Sequence, residues 1–497
     1  MISIIRSLCA ATIAVSILTT GTVNAQPRTD LVLGMTIEPT GLDPTAAAPV
    51  AIAQVVWQNL FEGLVTINKE GKIEPELAKS WTISKDGLTY TFKLRNDVTF
   101  QNNKKFTAQT AKYTLDKILK SDSINPQKAL YKSIKKVSAP NSHTLVLTLS
   151  TPSANLVYSL GFAAAVMIEP SSDATNATNP IGTGPFKFMT WKKGNQVTLV
   201  KNPQYWGTQP KLDKVTFRFI SDPQAQAAAL NSGAIDAMPQ FQAPELVKQF
   251  KGNPHFSTVI GTTGMEVIAG MNNVRKPFND QRVRQALMMA TDRQAIIDAT
   301  NEGFGTPIGS HFSPSDAGYE DLTKVFPYNP IKAKKLLAEA GYPNGFTFTM
   351  KMPTLTYAER AAEIMQAYYA MIGVTMKLES SEFPAKWIKD VYKDTNYDMT
   401  IIGHAETLDI GIYARHPYYF NYNNPKFNQA ITRTSNARTE AERIVGYQKS
   451  QEILAHDVPA LFLYAYPKIG IWKKGLHGMW KNLPVSSIDI TDVFWTE

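Results

Sequence analysis

Residues 329–378 read NPIKAKKLLAEAGYPNGFTFTMKMPTLTYAERAAEIMQAYYAMIGVTMKL, and the punctuation of this stretch decides the fold class. Asn329 is placed to cap a helix, Pro330 to open it and Gly341 to end it. A strand is expected from Thr347 to Met352. The next helix puts Ile364, Ala367, Tyr368 and Met371 on one face and stops at Gly373. A second strand runs from Val374 to Leu378, a helical stretch covers Ala385 to Val391, and a third strand spans Asp398 to Ile402. Strands alternating with helices in this way form a mostly parallel α/β sheet. Ligands of such sheets gather outside the carboxyl ends of the strands. The loop Gly403-His404-Ala405-Glu406-Thr407-Leu408-Asp409 follows the third strand directly. It carries an imidazole and two carboxylates, which makes it the candidate site; the alternative is a plain solvated loop.

Outward from this unit the character changes. In 280–293, Val283, Ala286, Leu287 and Ala290 share a helix face behind Asp280 as cap. A helix is expected from Ala441 to Ala455, with His456 near its C-terminal end, where a cation suits the dipole. Residues 30–150 are strand-rich. Leu88, Tyr90, Phe92 and Leu94 alternate with polar residues, and so do Leu145, Leu147 and Leu149. Asp86-Gly87 reads as a hairpin pair with both residues at positive φ. Residues 180–265 mix strands with a helix around Asp222 to Leu230. The aromatic run Tyr418-Tyr419-Phe420-Asn421-Tyr422, read at strand period, sets Tyr418, Phe420 and Tyr422 opposite Tyr419, as a pocket wall or as core.

At 497 residues, 43% hydrophobic and 19% charged, the chain is long enough for two or three domains with sizeable cores. The net charge of +9 is spread among acids; Lys135-Lys136, Lys192-Lys193 and Lys473-Lys474 are the tightest clusters. That is a soluble basic surface, and no nucleic-acid partner is expected. Arg6, an apolar run from Leu8 to Val23 and Val23-Asn24-Ala25 make residues 1–25 a signal peptide cleaved after Ala25. The one cysteine, Cys9, would leave with it. Disulfides, zinc–thiolate sites, iron–sulfur clusters and cysteine nucleophiles are thereby excluded. No later segment is apolar for long enough to span a bilayer. The expected location is the periplasm.

Catalytic motifs are missing. There is no Walker loop, GxGxxG, HExxH or GxSxG, and Pro185 removes an amide that a phosphate cradle at Gly182-Thr183-Gly184 would need. Ser133 to Lys136 has S-x-x-K spacing without its companion motifs. The seven histidines (143, 255, 311, 404, 416, 456 and 477) show no helical pairing. His404 and His416 are the weak metal candidates, with Glu406 or Asp409; the other reading makes them polar or ring-stacking residues of a pocket wall. No cofactor is expected.

Eight segments in order resemble a known family. These are 59–65 (NLFEGLV), 73–81 (IEPELAKSW), 86–95 (DGLTYTFKLR) with Phe100, 182–186 (GTGPF), 202–206 (NPQYW), 233–236 (GAID), 279–287 (NDQRVRQAL) and 332–341 (KAKKLLAEAG). The chain resembles the periplasmic solute-binding proteins of ABC importers for dipeptides, oligopeptides, nickel and opines, the family 5 extracellular solute-binding proteins. The resemblance implies an α/β, two-lobed periplasmic binding protein of type II (cluster C-like), with an extra inserted domain and a hinge of two chain crossings. Lobe I would comprise 26–57, 180–264 and 475–497, the insert 58–179 and lobe II 265–474. A small solute, peptide or peptide-like, would be enclosed between the lobes of a monomer and passed to the permease and ATPase subunits of an importer.

The resemblance also suggests site residues. Asp409 stands where dipeptide-binding relatives place the acid that takes the ligand's amino group, although the family's Gly-Trp and Asp-Pro are here Gly403-His404 and Asp409-Ile410. The usual carboxylate-binding arginine has no counterpart in 353–357; Tyr357 matches a pocket tyrosine, and Arg415 is the substitute candidate. Glu38 and Thr40 match the early pocket edge. With His404, Glu406 and Tyr413 these residues form the candidate ligand-binding set. An oligopeptide held by its main chain, an opine or glycoconjugate, and a nickel chelate all stay open. So does a secreted hydrolase pairing Glu406 with Asp409, and so does a sensor or chaperone use of the same fold.

Overall fold

The computed structural model describes residues 28–47, 50–406 and 408–496. The expected signal segment with Cys9, and Thr407 of the candidate loop, lie outside them. An eleven-stranded sheet runs the length of the molecule. Its order is Thr375–Ser381, Thr347–Pro353, Met399–His404, Phe256–Met271, Ala460–Lys473, Ala237–Met238, Asp30–Met35, Lys214–Phe219, Gln196–Lys201 and Phe186–Lys192, with Thr306–Pro307 paired off this path. The first three are parallel, as the helix–strand alternation requires. The helices between them form where the caps predict. Asn329 Oδ1 accepts from the Lys332 amide at 2.9 Å and opens Pro330–Glu339, and Asp280 caps Gln281–Met289.

Two strands belong to both halves of the sheet. Phe256–Thr262 pairs with Pro467–Lys473 on one side. After a register shift, Glu266–Gly270 pairs with Ala460–Ala465 on the other, where it also meets Met399–His404. These strands are the chain's passages between two separately packed bodies. On one side Leu31, Leu33, Val215 and Phe217 pack with Ile490 and Val493. On the other, Val267, Met350, Met365, Tyr369 and Leu461 make one core, and Ile402, Tyr413, Phe420 and Phe462 a second. A further core is drawn from residues 64–167, around Phe92, Leu115, Leu145 and Leu147. It is covered by the antiparallel sheet Ala78–Ile83, Thr89–Leu94, Thr144–Leu149, Ile134–Asn141.

The glycines of 182–186 act here through closeness rather than phosphate binding. A Cβ on Gly182 would fall 1.9 Å from the Leu60 carbonyl oxygen, and one on Gly184 would fall 2.6 Å from that of Asn59. That approach lets the Gly184 and Phe186 amides donate to Leu60 and Asn59 at 2.9 Å. Asn59 in turn donates to the Ile488 carbonyl at 2.9 Å and accepts from the Ile490 amide at 3.1 Å. Trp495 Nε1 donates to the Asp30 carbonyl at 2.9 Å. The segment 485–495 is therefore laid over the start of the chain.

Three sequence expectations need correction. The helix Thr356–Met371 forms, but it buries Ala358, Ala361, Ala362, Met365 and Tyr369, while Met371 is 54% exposed. The small alanines let it approach the sheet closely, and the buried Tyr369 hydroxyl meets Thr291 at 3.1 Å. The run 418–422 is a turn, with Asn421 at φ 48°, and Tyr419, Phe420 and Tyr422 are all buried. In the turn at 86–87 only Gly87 has positive φ, because the Gly87 amide donates to Ser84 and closes a longer loop.

Candidate functional site

The strand Met399–His404 ends in a buried histidine, and the chain then turns sharply. Leu408, at φ 59°, holds a left-handed conformation that costs a non-glycine residue of order 1 kcal/mol or more. The turn brings Asp409, first residue of the 3₁₀ helix Asp409–Ala414, back against His404. A third group arrives from a distant loop: His311, 1% exposed.

The three side chains converge. His311 Nε2 is 2.7 Å from Asp409 Oδ1, and His404 Nδ1 is 3.2 Å from Asp409 Oδ2. The imidazoles meet edge to face at 4.9 Å. Each far nitrogen reaches a tyrosine: His404 Nε2 lies 2.8 Å from the Tyr419 hydroxyl and His311 Nδ1 3.3 Å from that of Tyr413. Burial works to raise the Asp409 carboxyl, but the two histidines outweigh it and hold it below the usual carboxylate range. Burial lowers the His311 pKa against the pull of Asp409. We read an ionised Asp409 facing a neutral His311 that donates its Nε2 proton. Behind them lie two more buried acids. Burial, with Asp316 and Asp409 nearby, raises Glu266 well above its ordinary value; burial also pushes Asp316 up to about 7.

His404, Glu406, Asp409 and Arg415 line one side of a cavity of about 730 Å³, with Phe383, Trp387, Tyr392, Tyr418 and Tyr419. Leu130, Asn155, Tyr158, Ser159 and Phe162, all from the stretch 64–167, face them. At its rim the two walls touch. The Ala154 amide donates to the Ser435 carbonyl at 2.8 Å, Asn155 bonds the Tyr447 hydroxyl at 2.7 Å, and the buried Arg443 guanidinium lies 5.2 Å over the Tyr158 ring.

The other candidates fall elsewhere. Tyr413 is behind the wall, stacked on Phe420 at 4.5 Å. The Tyr357 hydroxyl accepts from the Gly403 amide at 2.9 Å and pins the strand end; its pKa is pushed up to about 12 by burial. Glu38 accepts from Trp191 Nε1 at 2.8 Å and from the Gly194 amide, and Thr40 is exposed. Neither Tyr357, Glu38 nor Thr40 lines the cavity. His416 is exposed and stands apart from the cluster in which His404 takes part. Sequence reasoning missed His311, although Asp316 lies only five residues on, and the facing wall of Tyr158 and Phe162.

Two lobes joined by paired crossing strands, with a solute-sized cavity beside the second and polar groups converging on one of its walls, define a bilobal binding protein. The family model for bacterial extracellular solute-binding proteins, family 5, matches residues 72–426, and the chain belongs to that family. It is 30% identical over 475 residues to the glutathione-binding protein GsiB of Escherichia coli K12, covering 91% of this chain and 92% of that one. Among solved structures it is similar to HbpA2 from Haemophilus parasuis, at 25% identity, 94% and 100% coverage and a TM-score of 0.87. It is also similar to the periplasmic binding protein DppA from Helicobacter pylori in complex with the peptide STSA, at 26% identity, 95% and 99% coverage and a TM-score of 0.71.

Proposed function

We propose that the protein captures a peptide-like solute in the periplasm and delivers it to the permease and ATPase of an ABC importer, without chemistry of its own. The observation that carries this is the 730 Å³ cavity with one wall from residues 383–435 and the facing wall from residues 130–162. A solute touching both walls favours the closed arrangement over the open one by its differential contacts, and closure is what a permease can sense. The size suits a molecule of a few residues. The relatives named for glutathione and crystallised with a tetrapeptide support the peptide-like class. The aromatic wall offers apolar bodies with hydroxyl tips for side-chain and main-chain groups.

The proposed lobes are 26–57, 180–264 and 475–497 for the first and 265–474 for the second, with 58–179 as an insert. The separate core of residues 64–167 supports the insert, and the register shift between Thr262 and Glu266 supports a boundary at 264/265. Native mass spectrometry of protein purified from its own periplasm, before and after mild denaturation, tests the function. A peptide ladder or a peptide-sized adduct is expected. A sugar- or opine-sized adduct would overturn the peptide-like class. Turnover of the released solute would overturn the binding-only role.

A further inference from the structure

The geometry points to a transition-metal site formed by His311, His404 and Asp409, with its open coordination positions facing the cleft. One ligand atom from each lies within 4.8 Å of the others, wider than the roughly 3–4 Å between ligands held about 2.0–2.1 Å from a dication, so uptake draws the three side chains together. Two nitrogens and one carboxylate oxygen suit a borderline first-row dication such as Zn²⁺, Co²⁺ or Ni²⁺, rather than Ca²⁺ or Mg²⁺.

The second layer is also that of a metal site. Ligating histidines hold their other nitrogen against an oxygen partner, which fixes the ring. Here Tyr413 and Tyr419 supply that oxygen to both rings. Metal uptake then also needs a tautomer change. In the metal-free chain His311 Nε2 and His404 Nδ1 face Asp409. With metal bound those atoms ligate, and His311 Nδ1–H and His404 Nε2–H donate to the tyrosine hydroxyls. Each ring's proton moves from one nitrogen to the other and none is released.

A separate observation favours a cation here. Glu266 Oε2 and Asp316 Oδ1 are buried without a hydrogen-bond partner among the described residues, and both acids interact electrostatically with Asp409. A dication held by the neighbouring ligands would favour the ionised form of both acids. His404 and Asp409 line the cavity while His311 closes the back. The free coordination positions therefore point toward the solute space. That the solute supplies donor atoms to them rests on the binding function proposed above.

The test uses the exported protein, stripped with a chelator and titrated calorimetrically with Zn²⁺ and Ni²⁺, with Co²⁺ as an optical probe. One equivalent should bind, with a visible Co²⁺ band. His311→Ala and Asp409→Ala should lower affinity at least tenfold, while His416→Ala should not, and circular dichroism should show all three folded. His311→Gln, which keeps the ring's bulk, guards against collapse of the pocket. No saturable uptake, or equal uptake by wild type and both His311 variants, overturns the site. A solute held equally well by stripped and metal-loaded protein overturns its link to the solute and leaves the capture function standing.

Discussion

Lys468 lies on the crossing strand Ala460–Lys473, only 4% exposed, and its ammonium donates to the Trp480 carbonyl. Burial lowers its pKa from 10.5 to about 8. An unfolded chain keeps the ordinary value, so between about pH 8 and pH 10.5 the unfolded state holds a proton that the folded state has lost. Stability therefore rises with pH across that window and is flat below it. About 2.5 pH units at about 1.4 kcal/mol each give a rise of about 3 kcal/mol. Lys468→Met keeps the stem and removes the charge. Urea unfolding of both proteins, followed by tryptophan fluorescence from about pH 7.5 to about pH 10.5, isolates this group, because tyrosine titration is common to the two. The wild type should gain about 3 kcal/mol on the variant over that range. Parallel curves would refute a desolvated ammonium at the crossing.

Three further outcomes are expected. Gly182→Ala sets a Cβ against backbone that no rotamer can relieve, and should cost more than about 4 kcal/mol; Gly194→Ala, at φ 73° in open space, should cost only about 1–2 kcal/mol, and similar melting temperatures for the two would refute the steric account. Phe92→Ala should cost about 3–5 kcal/mol, with amide exchange quickening in the strands of 78–149 but not in Met399–His404; uniform quickening would argue against a separate core. Asp409→Ala should weaken solute binding by about 2–5 kcal/mol in a calorimetric titration, and unchanged affinity would remove Asp409 from the site.

Local grammar made much of this fold legible. Asn329-Pro330 and Gly341 bracket a helix because capping and positive φ are decided by neighbours in sequence. The alternation at Tyr90, Phe92 and Leu94 shows in the burial of their strand. What failed depended on distant partners. Ile364 and Met371 make a plausible apolar face, but the chain buries the alanine-lined one, because close approach to the sheet outweighs side-chain bulk. The aromatic run has strand composition, yet Asn421 turns it and Tyr397 Oη donates to the Tyr419 carbonyl at 2.6 Å. At the site, His404, Glu406 and Asp409 were legible because a strand end places them together. His311 was not, since 93 residues separate it from His404 and only the tertiary fold joins them. Glu38 shows how a carboxylate at a strand exit can serve a neighbouring turn: it accepts from Trp191 Nε1 and the Gly194 amide.

The overlay of 485–495 on Trp57, Asn59 and Asp30 has a consequence in time. A polypeptide emerges N-terminus first, so the strand Asp30–Met35, which pairs with Lys214–Phe219, gains part of its apolar cover only from residues made more than four hundred positions later. The insert, whose core lies within 64–167, can assemble early and alone. The first lobe cannot. Its apolar sheet face stays incompletely covered until Val485, Ile490 and Val493 arrive. The first lobe is thus completed only once residues 485–495 have joined residues 30–59, long after the insert can have formed.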